Sequence, residues 1–414
     1  MVNATQMLFV MPLRLIPDKR ALELHETGVK YTKHAFGVLI TLMCQLFGPT
    51  TLRITFESEG LGAFTKEDVE RYVLRDANGE VSELRLPKKL VIIANHQIYG
   101  DWWYIWCLTY FMNMHREVLI VLKRSLMWVP ILGWGMQVFR FIFLARSWAS
   151  DKVYLVRRLA KLGRKAQLED TPLAFMIYPE GTLVATDTRP ISKKYADKLG
   201  IPDMTHILLP RSTGLHYSLR ALAPRVPGLK LLDITVAYPG VPPMGFGQSY
   251  YTLRSIFMDR VPPPVVHMHL RLIDVASAVP IGDLSGANPA VTPPTASASS
   301  PQPSFSSYPN TNGNSVPGGT AVEADPPEKE REVFDEWLRS LWRMKDEKID
   351  AFHRSGPGPF NANGYSERDE DKKFESVLPV VKIPIKLRSP LESLDAFCFF
   401  GPALFGYYWK KLSG

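Results

Sequence analysis

Short apolar runs alternate with amphipathic segments through the middle of this chain, a pattern typical of strands separated by helices. The predicted strands are Leu90–Ala94, Val118–Leu122, Phe141–Leu144, Ala174–Tyr178, Asp233–Tyr238 and Val265–Ile273, and the predicted helices are Trp102–Met112 and Asp151–Gln167. Pro130 and Gly133–Gly135 predict a turn. Strands that alternate with helices favour an α/β fold with a mostly parallel, buried central sheet flanked by helices.

Apolar and polar residues alternate in the last of these strands. Met268, Leu270 and Leu272 alternate with His267, His269 and Arg271. This alternation predicts an edge strand with one solvent face. Two histidines on one strand face could bind a metal, but no third ligand lies nearby in the sequence, so we predict no metal site there.

An apolar run near the N-terminus, Ala35–Phe47, follows two lysines, Lys30 and Lys33. The run is shorter than the roughly 20 residues that a membrane-spanning helix needs. A signal anchor extended by its flanks, a helix that dips into one leaflet and a buried helix all remain open. The preceding basic residues favour membrane contact with that side cytoplasmic.

The C-terminal third changes composition twice. Ala276–Pro327 is rich in Pro, Ser, Thr, Asn and Gly, which predicts a disordered insertion. Lys329–Phe352 then predicts an amphipathic helix, Val377–Leu387 a strand, and Phe397–Trp409 an interfacial aromatic tail. The predicted regions are residues 1–56, a membrane-associated segment; 57–275, the α/β core; 276–327, the insertion; and 328–414, the C-terminal helix, strand and tail.

Composition narrows the possible partners. The 414 residues carry a formal net charge of +8 and are 46% hydrophobic. The charge suits an anionic partner, and because no nucleic-acid-binding motif is present, we expect a membrane surface or a phosphorylated substrate. Cys44, Cys107 and Cys398 lie far apart in the sequence, so they predict no disulfide framework and suit a reducing compartment.

The strongest chemical signal is Asn95-His96 at the end of a predicted strand, followed by Asp101. On one continuous helix, residues five apart would point about 140° from each other. With His96 on the turn and Asp101 in the first helical turn, the two side chains can meet. The carboxylate would then orient the imidazole and leave its other nitrogen as a general base. A capping Asn and a structural His would give the same local sequence.

Three other stretches suggest a binding site for a phosphorylated polyol. Glu180 follows a predicted strand and can accept hydrogen bonds from a hydroxyl, and Gly181 allows a ligand to approach the backbone closely. Arg146 ends a strand, and Arg211 lies beside small residues. Two guanidinium groups near a general base suit phosphate, which Arg binds with two parallel hydrogen bonds.

These motifs, together spanning about residues 90–240, resemble those of the glycerolipid acyltransferase family, which includes the 1-acylglycerol-3-phosphate acyltransferases. The four matching motifs are Asn95-His96-x4-Asp101, Phe143–Arg146, Pro179–Thr182, and Pro210-Arg211 followed by Asp233–Pro239. Gly133–Gln137, Arg146–Trp148 and the helix from Trp337 to Phe352 resemble the branch that contains lysocardiolipin and lysophosphatidylinositol acyltransferases. The insertion at 276–327 departs from the pattern.

The resemblance implies transfer of an acyl chain from acyl-CoA, as co-substrate, to the free hydroxyl of a lysophospholipid. His96 would be the general base and Asp101 its support. The implied substrate-binding residues are Asn95, Arg146, Glu180, Gly181, Thr182 and Arg211. No metal and no bound cofactor are implied. We expect a membrane location, at the endoplasmic reticulum, with the active site at the cytoplasmic face.

Two other functions remain compatible with the motifs. The same His–Asp pair could activate water on a lipid ester or on an acyl-CoA thioester, which would make the protein a hydrolase. A membrane lipid-binding scaffold could also retain the fold without catalysis. The motifs leave the acceptor open among 1-acylglycerol-3-phosphate, lysophosphatidylinositol and lysocardiolipin.

Overall fold

A central eight-stranded sheet organises the protein, whose computed structural model describes residues 2–145, 147–284, 326–354 and 377–397. The strands are β1 Thr51–Phe56, β2 Val73–Arg75, β3 Val81–Leu84, β4 Lys89–Ala94, β5 Val118–Lys123, β6 Ile142–Leu144, β7 Leu173–Ile177, β8 Lys230–Ala237, β9 Val265–Asp274 and β10 Val381–Pro384. The order in the large sheet is β10-β1-β9-β8-β4-β7-β5-β6, and β2 pairs with β3 separately. Within the large sheet, the described strands pair antiparallel at β1–β10 and β8–β9 and parallel elsewhere, so the predicted mostly parallel sheet is confirmed.

Helices cover both faces of the sheet. They are α1 Val2–Thr5, α2 Lys19–Phe47, α3 Lys66–Tyr72, α4 Asp101–Phe111, α5 Leu132–Val138, α6 Trp148–Leu168, α7 Arg189–Leu199, α8 Ser212–Leu222, α9 Gly247–Tyr250, α10 Leu253–Phe257, α11 Val275–Ala278, α12 Glu328–Arg354 and α13 Ser393–Phe397. Short 3-10 or π segments lie at Gln6–Val10, Pro12–Leu15, Arg124–Trp128 and Pro390–Glu392.

Strand β4 shows why the apolar runs lie inside the molecule. Leu90 and Ile92 belong to the core under α2 and α4, whereas Val91 and Ile93 belong to the core under α6, α8 and α12. Because successive side chains of a strand point to opposite faces, a strand covered on both sides has to be apolar at every position.

The N-terminal apolar run, Ala35–Phe47, forms the second half of α2 and packs against the core. Val38, Ile40 and Cys44 are almost completely buried beside α4. Of the three interpretations, the structure therefore shows the buried helix for this half of α2. None of the described helices combines the length and the apolar character that crossing a membrane requires.

The predicted C-terminal amphipathic helix is confirmed as α12. Its apolar stripe packs on the core beside α8 and β8, with Phe334, Leu338, Leu341 and Trp342 at most 1% exposed. Helix α12 therefore belongs to the same folded unit as the central sheet.

The prediction of an edge strand at β9 is wrong. Strand β9 lies between β1 and β8, and its polar face is covered by neighbouring groups. His267 packs against the Phe352 ring of α12, and His269 contacts the Thr55 hydroxyl. Arg271 donates to Glu57 at 2.7 Å. The alternating polar residues therefore mark a buried polar layer.

The predicted turn at Gly133–Gly135 is also wrong, because both glycines lie within α5. The turn comes earlier, at Ile131, whose φ is +66°. Gly133 is needed for close packing, since a Cβ at this position would lie 2.3 Å from the Met127 carbonyl oxygen.

Three boundaries also differ from the predictions. Residues 51–56, predicted to belong to the N-terminal segment, form β1 inside the sheet. Residues 276–284 were predicted to belong to the insertion, but Val279 and Ile281 are buried against the core. The predicted strand Val377–Leu387 is reduced to β10.

Several predictions concern residues outside the described part of the chain. These are Arg146, Cys398, residues 285–325 of the predicted insertion and residues 398–409 of the predicted aromatic tail.

Candidate active site

Three neighbouring parallel strands bring the candidate residues to one edge of the sheet. In the order β8-β4-β7, each strand is followed directly by polar or aromatic residues. His96 follows β4, Tyr178–Thr182 follows β7, and Tyr238 follows β8. Because the carboxyl ends of parallel strands meet at one edge, these loops form a single site.

His96 and Asp101 meet as predicted, with Nδ1 and Oδ2 2.7 Å apart. The same Oδ2 accepts the backbone N–H groups of Gln97 and Ile98, at 2.7 and 3.0 Å. Asp101 is fully buried, whereas the His96 side chain is 17% exposed. Since an ionised carboxylate only accepts, Nδ1 carries the hydrogen and Nε2 is the basic nitrogen. Within the described residues, Nε2 has no hydrogen-bond partner.

Two tyrosines complete the surroundings of this pair. The Tyr238 hydroxyl donates to Asp101 Oδ1 at 2.6 Å. Burial and the charge of Asp101 raise the pKa of Tyr238, so its hydroxyl remains a donor. The Tyr178 ring stacks on the His96 imidazole, with ring centres 4.4 Å apart. Asp101 thus holds the histidine, and Tyr238 holds Asp101.

Glu180 lies behind His96 and is only 3% exposed. Its Oε1 accepts the His96 backbone N–H at 3.1 Å and the Trp342 indole N–H at 3.3 Å, and its Oε2 accepts the Leu208 backbone N–H at 3.1 Å. Burial raises the pKa of Glu180 to about 8, although these three donors and the nearby Lys345 act in the opposite direction. In this structure Glu180 fixes the backbone that carries His96.

Asn95 is completely buried, and its amide extends the pairing of β4 with β8. Its Nδ2 donates to the Val236 carbonyl oxygen at 2.9 Å, and its Oδ1 accepts the Val236 N–H at 2.7 Å. Both polar atoms of the Asn95 side chain therefore hold the strand end that precedes His96.

The loops after β7 and before α8 form the more open side of the site. Gly181 is exposed and has a φ of +73°, a conformation that favours glycine. Thr182 is partly buried. The exposed Arg211 is joined to this loop through its backbone N–H, which donates to the Pro179 carbonyl oxygen at 2.8 Å.

Comparisons with known proteins show which family this chain resembles. An acyltransferase family model matches residues 78–238. The 2-acyl-1-lysophosphatidylinositol acyltransferase of Saccharomyces cerevisiae is 35% identical over 289 residues, 62% of this chain and 70% of the yeast protein. The chain belongs to the acyltransferase family.

Other relatives of this acyltransferase agree with the predicted branch. An uncharacterized acyltransferase of Schizosaccharomyces pombe is 31% identical over 339 residues, 81% of this chain and 78% of that protein. Lysocardiolipin acyltransferase 1 of Danio rerio is 33% identical over 195 residues, 47% of each chain. The resemblance to the lysocardiolipin and lysophosphatidylinositol branch is thereby confirmed.

The acyltransferase structure brings most of the predicted site residues together. His96, Asp101, Asn95, Glu180, Gly181, Thr182 and Arg211 all lie at the β8-β4-β7 edge. Arg146 lies outside the described residues, between Ala145 and Ser147, whose N–H groups donate to Asp151 at 2.9 and 3.1 Å.

Three residues that contact this set were not predicted to have a role: Tyr178, Tyr238 and Trp342. Both tyrosines follow strands directly, as His96 does, so strand ends were an available signal. Trp342 lies 162 residues beyond Glu180 in the sequence, and the apolar stripe of its helix indicated core packing alone.

Proposed function

We propose that this acyltransferase transfers an acyl chain from acyl-CoA to the free glycerol hydroxyl of a lysophospholipid, with His96 as the general base. The observation that carries the proposal is the 2.7 Å pair of His96 with the buried Asp101, which leaves Nε2 as the basic nitrogen of a partly exposed side chain. General-base catalysis by a positioned histidine contributes typically about 10²–10⁴-fold to a rate.

In the proposed reaction, Nε2 takes the hydroxyl proton while the acceptor oxygen attacks the thioester carbonyl carbon. Asp101 stabilises the imidazolium that forms, and Tyr238 supports Asp101 through its hydroxyl. The carbon–sulfur bond then breaks, and the CoA sulfur leaves with the proton from Nε2. The acyl chain ends on the acceptor oxygen as an ester, and His96 returns to its neutral form.

The phosphate of the lysophospholipid would bind beside the Gly181 turn. Arg211 presents an exposed guanidinium there, and the resemblance adds Arg146 as a second phosphate ligand. The name of the Saccharomyces cerevisiae relative favours lysophosphatidylinositol as the acceptor to test first. Lysocardiolipin and 1-acylglycerol-3-phosphate are the other acceptors to test.

Membrane contact would let both lipid substrates enter without their chains crossing water. Two adjacent segments expose large apolar side chains, which we call the apolar face: Leu8, Phe9, Leu15, Ile16, Trp128, Ile131, Leu132 and Trp134. Asn3, just before the first segment, donates its amide N–H to the Ile131 carbonyl oxygen of the second. We propose that the apolar face rests on the cytoplasmic surface of the endoplasmic reticulum.

A product assay tests the reaction and identifies the acceptor. Membranes that carry the wild type or His96→Ala are given labelled acyl-CoA with lysophosphatidylinositol, lysocardiolipin, 1-acylglycerol-3-phosphate, lysophosphatidylcholine or no acceptor. We expect His96-dependent label in one diacyl product. Labelled free fatty acid without any acceptor would indicate a hydrolase, and the absence of His96-dependent chemistry would indicate a lipid-binding scaffold.

Vesicle sedimentation tests the apolar face separately. The wild type should bind vesicles of phosphatidylcholine and phosphatidylinositol, and Trp128→Ser combined with Trp134→Ser should lower the bound fraction. Leu168→Ser is the control, because Leu168 is as exposed as Trp128, at 69% against 67%, but lies outside the face. Equal binding by all three proteins would contradict this part of the proposal.

A further inference from the structure

Helix α12 touches the candidate site at several points, although the acyltransferase family match ends at residue 238. We infer that α12 is a positioning element for catalysis, and that Trp342 holds the Glu180 carboxylate where it fixes the His96 backbone. The inference rests on the proposed role of His96 as general base.

The contact between α12 and Glu180 is direct. Trp342 is completely buried, and its indole N–H donates to the same Glu180 oxygen that accepts the His96 backbone N–H. A single buried oxygen therefore links the helix to the residue that carries the proposed base. Loss of the indole donor would leave Glu180 free to shift, and His96 would shift with it.

A second contact reaches Glu180 from the other side. Asp346, one turn after Trp342, accepts the backbone N–H groups of Thr205, His206 and Ile207, at 2.7, 2.7 and 3.2 Å. The next residue, Leu208, donates its N–H to Glu180 Oε2. Helix α12 thus holds both the carboxylate and the loop that binds its second oxygen.

The protonation of Glu180 adds a readout that packing alone would not change. Three N–H donors suit an ionised carboxylate, and burial places its pKa near 8. The charged groups around it are Lys345, with its partner Asp233, and the His96–Asp101 pair. Because the ionised carboxylate is the better acceptor for these N–H groups, we expect kcat to rise as Glu180 loses its proton. Removal of the Trp342 donor would raise the pKa of Glu180 and move this rise to higher pH.

The test is Trp342→Phe, which keeps an aromatic ring and removes the N–H, beside Trp337→Phe on the same helix. Trp337 packs on the core without contacting Glu180. We expect kcat to fall about tenfold in Trp342→Phe alone, with unchanged KM values, because the interaction acts through His96. Thermal midpoints record the loss of packing separately.

A double-mutant cycle separates positioning from packing. The effect of Trp342→Phe on kcat should nearly vanish in a Glu180→Ala background, because the side-chain oxygen that Trp342 holds is then absent. The same factor in both backgrounds would overturn the inference. So would equal kcat and pH profiles for Trp342→Phe and Trp337→Phe.

Asp346→Asn provides a second test through the loop contact, with the neighbouring, exposed Glu347→Gln as its control. A lower kcat for Asp346→Asn alone supports the inference, and equal values for both variants oppose it. If His96→Ala loses acyl transfer while Trp342→Phe keeps full kcat, the role of α12 is refuted and the proposed function stands. Full transfer by His96→Ala would refute the proposed function itself.

Discussion

Two buried carboxylates have basic partners at the central strands: Asp101 is hydrogen-bonded to His96, and Asp233 forms an ion pair with Lys345. The two pairs differ in the surroundings of the basic group. The His96 side chain is 17% exposed, and its Nε2 has no partner within the described residues. Lys345 is completely buried, and its ammonium group contacts Asp233 at 2.5 Å and donates to the Ile234 carbonyl oxygen at 2.7 Å.

Strand β8 serves both pairs. Asp233 within the strand faces α12, whereas Tyr238, five residues later, faces α4 and donates to Asp101. An odd separation along a strand places side chains on opposite faces. Under the proposed mechanism, Asp101 supports catalysis because its basic partner, His96, keeps one nitrogen available. Where every atom of the basic group is occupied, the pair holds α12 on the sheet.

The largest effect should come from the His96–Asp101 pair, whose basic residue keeps one nitrogen available. His96→Ala is expected to lower kcat by about 10²–10⁴-fold, because it removes the proposed general base. The free energy of unfolding should fall much less than for a lost buried ion pair, since Asp101 keeps the N–H donors of Gln97 and Ile98 and the Tyr238 hydroxyl. Single-turnover assays with labelled acyl-CoA measure the rate, and near-normal turnover in purified, folded His96→Ala would refute the assignment.

The Lys345–Asp233 pair, whose ammonium group is completely buried, should affect stability rather than turnover. Lys345→Met removes the close partner of the buried Asp233 and leaves the Arg271 guanidinium 3.9 Å away, so it should lower the free energy of unfolding by about 3 kcal/mol. Adding Asp233→Asn should restore part of the loss. Lys348→Met on the same helix is the control, because its ion pair with Glu57 is 30% exposed on the lysine side and should contribute about 1 kcal/mol or less. Denaturant titration would oppose the comparison if both single variants lost the same stability.

Tyr238→Phe tests the support that Asp101 receives from the residue directly after β8. It removes the hydroxyl that donates to Asp101, a charged hydrogen bond of about 1.5–3 kcal/mol, so kcat should fall about 10- to 100-fold without a change in KM. Tyr251→Phe is the control, because its buried hydroxyl donates to the Pro239 carbonyl oxygen. Equal kcat values in steady-state assays of both variants would remove Tyr238 from the mechanism.

Glu180 lies near both pairs, and its raised pKa should make the stability of the protein depend on pH. Burial raises the pKa of Glu180 from the ordinary 4.5 to about 8. Between these two pH values, the native protein keeps a proton on Glu180, whereas the unfolded chain has lost it. The stability that this group contributes is therefore lost as pH rises towards 8. Between pH 5 and 8, the thermal midpoint of Glu180→Gln should fall less than that of the wild type. Parallel curves would contradict the raised pKa.

The sequence predicted the parts of this comparison that depend on local pattern. The buried strands β4, β7 and β8 followed from apolar runs, and the meeting of His96 with Asp101 followed from a strand, a turn and a helix start. These features depend on residues that are close in the sequence, where the geometry of the backbone limits the possibilities.

The remaining features depend on contacts between distant segments. The polar residues of β9 predicted a solvent face, but α12 returns to cover that side, as the Phe352–His267 contact shows. The Lys345–Asp233 pair and the Trp342 hydrogen bond arise from the same return of the chain. The residue patterns of β9 and α12 do not predict that these two elements meet, because each pattern also fits other packing partners.

The smallest effect should follow deletion of residues 286–325, because the two flanks meet through their own contacts. The Asp283 N–H donates to Glu330 Oε1 at 3.3 Å, and Arg220 contacts both the Ile281 carbonyl oxygen and Glu330. A short Gly/Ser linker can therefore join the ends, and shortening a long connection changes its closure entropy only slowly. The His96–Asp101 and Lys345–Asp233 pairs should persist, with kcat within about twofold of the wild type and an unchanged denaturation midpoint.

A matched deletion of residues 279–325 also removes Val279 and Ile281, which are buried, and should lower the midpoint. Loss of folding in the shorter deletion would show that α12 needs the removed segment to reach the sheet. The Lys345–Asp233 pair would then depend on the connection as well as on its own contacts.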